Sequence, residues 1–181
     1  YNEGDNYVES KLSDFTALAP ELKNRFMNNI YRRASTSFQY VFVQYFITQA
    51  VEKGEEPGHP LHVMHDFVNG DSFMPFMKSL TGDDSIRFNE SFASMYQPGH
   101  FLTDHDDTHA KNDRVVAYTI SMTPIWNKDW GGHVAFFDEA GNVNQAFIPD
   151  FNSLNVFTIP QPHAVQMVTP FARANRMSFL G

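Results

Sequence analysis

Apolar positions along the chain follow two regimes that change near residue 82. Up to that point they recur at helical spacing. Pro20 suits the first turn of a helix, and Leu22, Phe26 and Ile30 follow at intervals of four. Further helices are expected over about 60–68 and about 71–81, the second entered through Asp71 and Ser72 and closed by Gly82. Phe38-Gln39-Tyr40-Val41-Phe42-Val43 is aromatic and β-branched and predicts a buried strand, while Gly and Pro mark 53–58 as a loop. Beyond residue 82, short strand-like runs occur at 86–96, 100–106, 114–123, 133–138, 143–149, 153–159, 164–168 and 176–181. Gly131-Gly132, Gly141-Asn142 and Pro160-Gln161-Pro162 separate several of them. About eight short strands at this spacing argue for an antiparallel sandwich or barrel. The expected class is mainly β with flanking helices (α+β): one domain over 1–181, with a mostly helical support over 1–82 and a double-stranded β-helix (jelly roll) over 83–181.

Composition narrows the range of partners. The 18 Phe and 7 Tyr supply large buried areas and can line a pocket for a flat or cyclic substrate. A chain of 181 residues buries roughly 70% of its unfolded surface, enough for one core. The absence of Cys excludes disulfides, thiolate zinc sites and thiol catalysis, and permits a reducing compartment; the cytoplasm is the expected location. A net charge of −8 opposes phosphate backbones, so no nucleic-acid partner is expected and a basic protein or peptide would be attracted instead. No run of about 20 apolar residues exists to span a membrane. The start, Tyr1-Asn2-Glu3-Gly4-Asp5, is polar and lacks an initiating Met, which leaves room for a segment upstream.

The eight His fall into clusters of unequal promise. Asp104-His105-Asp106-Asp107-Thr108-His109 is the densest group of potential ligands. If 100–107 is a strand, His105 and Asp107 point to one face while Asp104 and Asp106 point away. Alone, an H-x-D pair is weak, and Asp107 with His109 has the same spacing. His62 and His65 share a helix face at i, i+3, where a structural role is the simpler account. His59, His100 and His133 have no partner that spacing identifies. His163 follows the rigid Pro160-Gln161-Pro162 turn and stands 58 residues beyond His105, so intervening strands could bring the two together. Two His and one carboxylate on one face leave positions open for a chelating co-substrate and O2, the non-heme Fe(II) arrangement, although zinc accepts the same residue types. On the last strand, Arg176 and Ser178 share a face and can receive a carboxylate, by a bidentate ion pair and a hydrogen bond. Arg173, in a stretch that reads as a loop after Pro170-Phe171, is the competitor.

These blocks come in a familiar order. Tyr96-Gln97-Pro98-Gly99-His100-Phe101-Leu102-Thr103-Asp104-His105-Asp106-Asp107 resembles the Y-x-x-G-x-x-L-x-x-H-x-D block of the 2-oxoglutarate oxygenases of the prolyl hydroxylase type. Arg114, Trp126 through Gly131-Gly132, and Pro149-Asp150-Phe151-Asn152-Ser153-Leu154-Asn155-Val156-Phe157 resemble its next strand start, its W…GG turn and its P-x-F-N-x-L-x-x-F strand. His163 through Val168 and Arg176 through Gly181 complete the series, which covers about 73–181. Phe76 through Gly82 further resembles the branch acting on a ribosomal-protein proline.

The resemblance implies Fe(II) held by His105, Asp107 and His163, which would be the catalytic centre, and 2-oxoglutarate held at its distal carboxylate by Arg176 with Ser178 assisting. Tyr96 would lie beside the co-substrate. It further implies O2 as oxidant, ascorbate as a supporting reductant, and hydroxylation of a C–H bond with release of succinate and CO2. The expected substrate is a prolyl residue in a protein or peptide; free proline or another small molecule is the alternative, as is a cupin-like metal-binding jelly roll that is no oxygenase. Two departures stand out: Ser121 occupies a place where many relatives carry tyrosine, and the stretch between His163 and Arg176 is longer than in several relatives, which keeps Arg173 in play.

Overall fold

A computed structural model describes residues 9–108 and 113–181, together with the backbone of Asn2–Glu3 (β1) and Asn6–Tyr7 (β2), which pair antiparallel. Among the described residues, five helices precede residue 82: Leu12–Ala17 (α1), Pro20–Ala34 (α2), Ile47–Lys53 (α3), Pro60–Val68 (α4) and Phe73–Thr81 (α5). Pro20 and Pro60 open their helices at the first turn, where the missing N–H costs nothing. Gly54 and Gly82 close α3 and α5 in the left-handed conformation, at φ 67° and 71°. None of these helices is long and apolar enough to cross a membrane.

The strands are Tyr40–Val41 (β3), Val43–Tyr45 (β4), Phe92–Tyr96 (β5), Phe101–His105 (β6), Val116–Ser121 (β7), Val134–Phe137 (β8), Val143–Phe147 (β9), Leu154–Thr158 (β10), His163–Val165 (β11) and Arg176–Leu180 (β12). They form two five-stranded antiparallel sheets, β10-β7-β12-β5-β4 and β3-β6-β11-β8-β9. This is the jelly-roll core; seven of the eight runs read beyond residue 82 contain one of its strands, and the run 164–168 overlaps β11, which starts one residue earlier at His163. The run 38–43 is not one strand. It breaks at Phe42, so that β3 joins β6 in one sheet and β4 joins β5 in the other. Helices α1 and α3, unmarked by periodicity, are short, with 6 and 7 residues.

Alternation along the first sheet separates its two faces. One face carries Tyr118, Ile120 and Phe179 and packs against Ile47, Val68, Phe73 and Met77 of α3, α4 and α5. Full burial of each such side chain contributes about 1.5–3 kcal/mol, so this contact fastens the helical layer to the sheet. The other face carries Tyr96, Arg176 and Phe157 and looks toward the second sheet. Tyr96 accordingly clusters with Val165 and Val168, and Phe157 lies against His163 at 4.7 Å between ring centroids. The space between the sheets holds every residue of the candidate site.

Candidate active site

β6 ends at His105, and the antiparallel register sets His163 of β11 directly opposite. Their ring centroids are 4.1 Å apart. Asp107 lies beyond the end of β6, so strand alternation does not bring it to the histidines, contrary to the expectation from 100–107 as a strand. Its backbone takes the left-handed conformation (φ 61°), uncommon for a residue with a side chain, and this local turn returns the carboxylate to the pair. Asp107 Oδ1 lies 3.3 Å from His105 Nε2, and Oδ2 lies 3.5 Å from His163 Nε2. One donor atom from each residue falls within 4.8 Å of the other two, close enough to share one metal ion. Asp104 and Asp106 are exposed, and Asp106 instead accepts a hydrogen bond from the Thr108 N–H.

Each imidazole is oriented from behind. His105 Nδ1 stands 3.0 Å from the Thr103 carbonyl, and His163 Nδ1 stands 2.7 Å from the Gln161 carbonyl. A carbonyl only accepts, so Nδ1 carries the proton of each neutral ring, and Nε2, on the Asp107 side, is left to bind a metal or, once protonated, to donate to Asp107. This is the tautomer a metal requires, fixed by the backbone. Burial would lower His105, but the hydrogen bond and charge of Asp107 outweigh it and raise its pKa. Burial and the neighbouring His105 lower that of His163. Burial would raise Asp107, yet hydrogen bonding and charge from His105 hold its carboxyl below the usual range. Phe38 flanks His105 at 6.0 Å, and Phe136 and Phe157 flank His163 at 5.9 and 4.7 Å, giving the triad an aromatic wall.

Arg176 enters from the other sheet. It is 4% exposed. Its Nε donates to the Gly132 carbonyl (2.9 Å), its Nη1 donates to Ser178 Oγ (3.0 Å), and its guanidinium carbon sits 5.1 Å from the centre of the Tyr96 ring. Tyr96 is itself stacked on Phe42 at 4.9 Å. Among the described residues, no carboxylate pairs with Arg176, and burial lowers its pKa. A buried cation without a counter-charge is costly unless an anion joins it. Gly132 makes the arrangement possible: at φ 65°, an added Cβ would meet Trp126 at 3.0 Å, Val168 at 3.2 Å and Arg176 Cδ at 3.4 Å. Arg173, the competitor, is exposed in the loop before β12.

Three of the remaining histidines, His59, His62 and His65, bond within or beside the helical layer. His62 Nε2 lies 2.9 Å from the Tyr45 hydroxyl, and His59 accepts the Leu61 N–H at the start of α4. His65 is buried with Ser91 (3.0 Å) and Thr48 (3.3 Å), tying α4 to the residue just before β5 and to α3. His100 is buried, with an unpartnered Nδ1 and a pKa pushed down by burial to about 4. His133 is half-buried and also lowered by burial. His109 lies outside the described residues. The aromatic wall escaped sequence reasoning, because its only signal is the register that sets Phe136 opposite His163.

The chain belongs to the 2OG-Fe(II) oxygenase superfamily, whose model matches residues 91–181. Its cofactors are therefore Fe(II), 2-oxoglutarate and O2, and the two imidazoles and one carboxylate suit that iron. Among solved structures, it is similar to a prolyl-4-hydroxylase from Pseudomonas putida, with 19% identity and a TM-score of 0.60 over 90% of this chain and 85% of the other. An oxidoreductase of the 2OG-Fe(II) oxygenase family from Burkholderia pseudomallei shares 15% identity and a TM-score of 0.56, over 79% of this chain and 64% of that one. A viral collagen prolyl hydroxylase from Paramecium bursaria Chlorella virus 1, in complex with 2OG, shares 14% identity and a TM-score of 0.50, over 90% and 88%. At these identities the likeness is one of fold. No curated protein matches the sequence.

Proposed function

We propose that the protein is a dioxygenase that hydroxylates a prolyl residue in a protein or peptide, with His105, Asp107 and His163 as iron ligands and Arg176 as the anchor of 2-oxoglutarate. The observation that carries this reading is the pairing of two features across one chamber. Two histidines with backbone-fixed tautomers converge on Asp107 from one sheet, and a buried guanidinium without a carboxylate partner enters from the other. Bound Fe(II), with 2-oxoglutarate and O2, supplies the oxidation of a C–H bond with release of succinate and CO2.

The protein's own residues supply position. Thr103 and Gln161 carbonyls hold the imidazoles with Nε2 forward, and the left-handed turn at Asp107 closes the third side. Arg176, steadied by Gly132 and Ser178 and set beside Tyr96, receives the distal carboxylate. Phe38, Phe136 and Phe157 exclude water around the triad and offer flat apolar walls to a pyrrolidine ring. The whole of 1–181 serves as one oxygenase domain, in which 1–82 supports the catalytic core over 83–181. A net charge of −8 favours a basic polypeptide as substrate, and the likeness of 76–82 to the ribosomal-protein branch supports a ribosomal proline in the cytoplasm.

The test is a panel of basic Pro-containing peptides, neutral peptides and free amino acids, supplied with Fe(II), 2-oxoglutarate, O2 and ascorbate. Succinate and a mass gain of one oxygen on a basic peptide are expected. Turnover of free proline alone would move the assignment to a small-molecule hydroxylase. Fe(II) binding without succinate from any candidate would favour a metal-binding jelly roll.

A further inference from the structure

Strand register draws a row across the second sheet, from the triad to the sheet's edge. His105 of β6 lies opposite His163 of β11, His163 opposite Phe136 of β8, and Phe136 opposite Gln145 of β9. Directly opposed residues share a face, so Gln145 stands on the chamber face with the two histidines. Phe147, two residues on, shares that face, and its ring lies 6.2 Å from that of Phe136. β9 ends the sheet: among the described residues it pairs with β8 alone, and every residue of it is exposed.

The backbone of this edge is open. The Phe137 N–H donates to the Pro162 carbonyl, and the His133 carbonyl accepts from the Gln166 N–H, so odd-numbered residues of this stretch turn their polar groups toward β11. Val134 and Phe136 therefore turn theirs toward β9 and bond their opposite residues, Phe147 and Gln145. Asn144 and Ala146 are left with N–H and C=O groups directed out of the sheet. Exposed edges are ordinarily blunted by Lys, Pro or an inward charge, and Val143-Asn144-Gln145-Ala146-Phe147 has none of them. It exposes apolar surface instead, with Val143 at 50% and Phe147 at 42%.

The surrounding charge selects a partner. No Lys or Arg occurs between Lys128 and Arg173, a stretch that carries Asp129, Asp138, Glu139 and Asp150. Two β9 strands paired antiparallel would set the Asp138-Glu139 turn of one copy beside Asp150 of the other, like charge against like. A basic polypeptide is drawn to the same edge. We propose that a basic, extended stretch of the substrate polypeptide adds to β9 as a further strand, bonded through Asn144 and Ala146, with alternate side chains beside Gln145 and Phe147. This rests on the reading of the protein as a hydroxylase of a protein or peptide. The added strand lies three strand spacings from β11, roughly 14 Å, which a chain rising about 3.3 Å per residue covers in about four or five residues. The docked stretch therefore stands that far from the reacting proline. It holds no Pro itself, because a missing N–H would break the ladder.

The experiment takes the basic Pro-containing peptide turned over best in the panel above and methylates its backbone nitrogens one at a time. Succinate release by the unmutated chain gives KM for each form. On one side of the proline, methylation should raise KM about tenfold at alternate residues of the docked stretch, and change it within about twofold at the residues between. The matching change in the protein is Ala146→Pro, which removes an outward N–H and keeps the bonds that Gln145 and Phe147 make to β8. It should raise KM for the peptide about tenfold. The metal-to-ligand charge-transfer band given by 2-oxoglutarate on the anaerobic Fe(II) protein should hold, as should the thermal midpoint.

Uniform losses along the peptide, or none, would overturn the inference and leave the wider reading in place. An unchanged KM in Ala146→Pro would overturn it too, and a dimer of the unmutated chain that Ala146→Pro dissolves would give the edge to a second copy. Should Ala146→Pro lower the midpoint, the methylation pattern on the unmutated chain decides. If no peptide is hydroxylated, the wider reading fails and this inference with it.

Discussion

Replacement of Arg176 tests the co-substrate assignment most directly. Its guanidinium is almost fully buried, bonds only to neutral partners, and faces a chamber with no protein carboxylate in pairing distance among the described residues. Truncating one member of a buried charge pair costs about 2–5 kcal/mol, largely because the other charge is left unmatched. At about 1.4 kcal/mol per tenfold, Arg176→Met should weaken 2-oxoglutarate by at least roughly thirtyfold. Arg176→Lys keeps the charge but loses the planar fork and the Gly132 tether, so its affinity should fall between the two. The empty protein should change little. Loss of the bonds to Gly132 and Ser178 costs about 1–3 kcal/mol for each group left unpaired, and removal of an uncompensated buried charge offsets it. Iron affinity should survive, since Arg176 is no ligand. The assay is anaerobic titration with 2-oxoglutarate, followed by the charge-transfer band and checked by calorimetry. A large loss in Arg173→Ala with near-normal binding in Arg176→Met would refute the assignment.

Two further outcomes are expected. His105→Ala, Asp107→Ala and His163→Ala should each lose most Fe(II) binding under anaerobic dialysis while His109→Ala retains it; full occupancy in any of the first three would remove that residue from the triad. His100, held down to about 4 by burial, ionises near 6.5 once unfolded, so the unfolded chain binds more protons between those values and folding stability is lost as the pH is lowered through that window. From pH 7 to pH 4.5 this amounts to about 2.5 kcal/mol, which urea unfolding of His100→Gln should show as a flatter pH dependence than the unmutated chain; parallel slopes would exclude His100 as the cause.

Much of this was legible before the fold was known. The strands after residue 82 announce themselves by short apolar runs between turn residues, and the candidate ligand residues stand in an ordered series of motifs. The limits are physical. Local pattern cannot report that 38–43 breaks at Phe42, because leaving one sheet for the other depends on whether β6 or β5 lies alongside. The 6-residue α1 has no buried residue, so it offers no apolar stripe to detect. Alternation from His105 suggests a shared face for Asp107, but Asp107 lies beyond β6 and a left-handed backbone brings its carboxylate beside the two histidines. The row of His105, His163, Phe136 and Gln145 belongs to strand register, which no single run encodes.

The triad rides on one sheet and Arg176 on the other, so a molecule held at both ends is a strut across the sandwich. Its binding free energy adds to the work of prying the layers apart, by RT ln(1 + [L]/Kd), or about 2.7 kcal/mol at a hundredfold excess over Kd. The endurance of this protein would then track the supply of a metabolite, with the loosest sandwich, and the most exposed aromatic interior, in a cell starved of it.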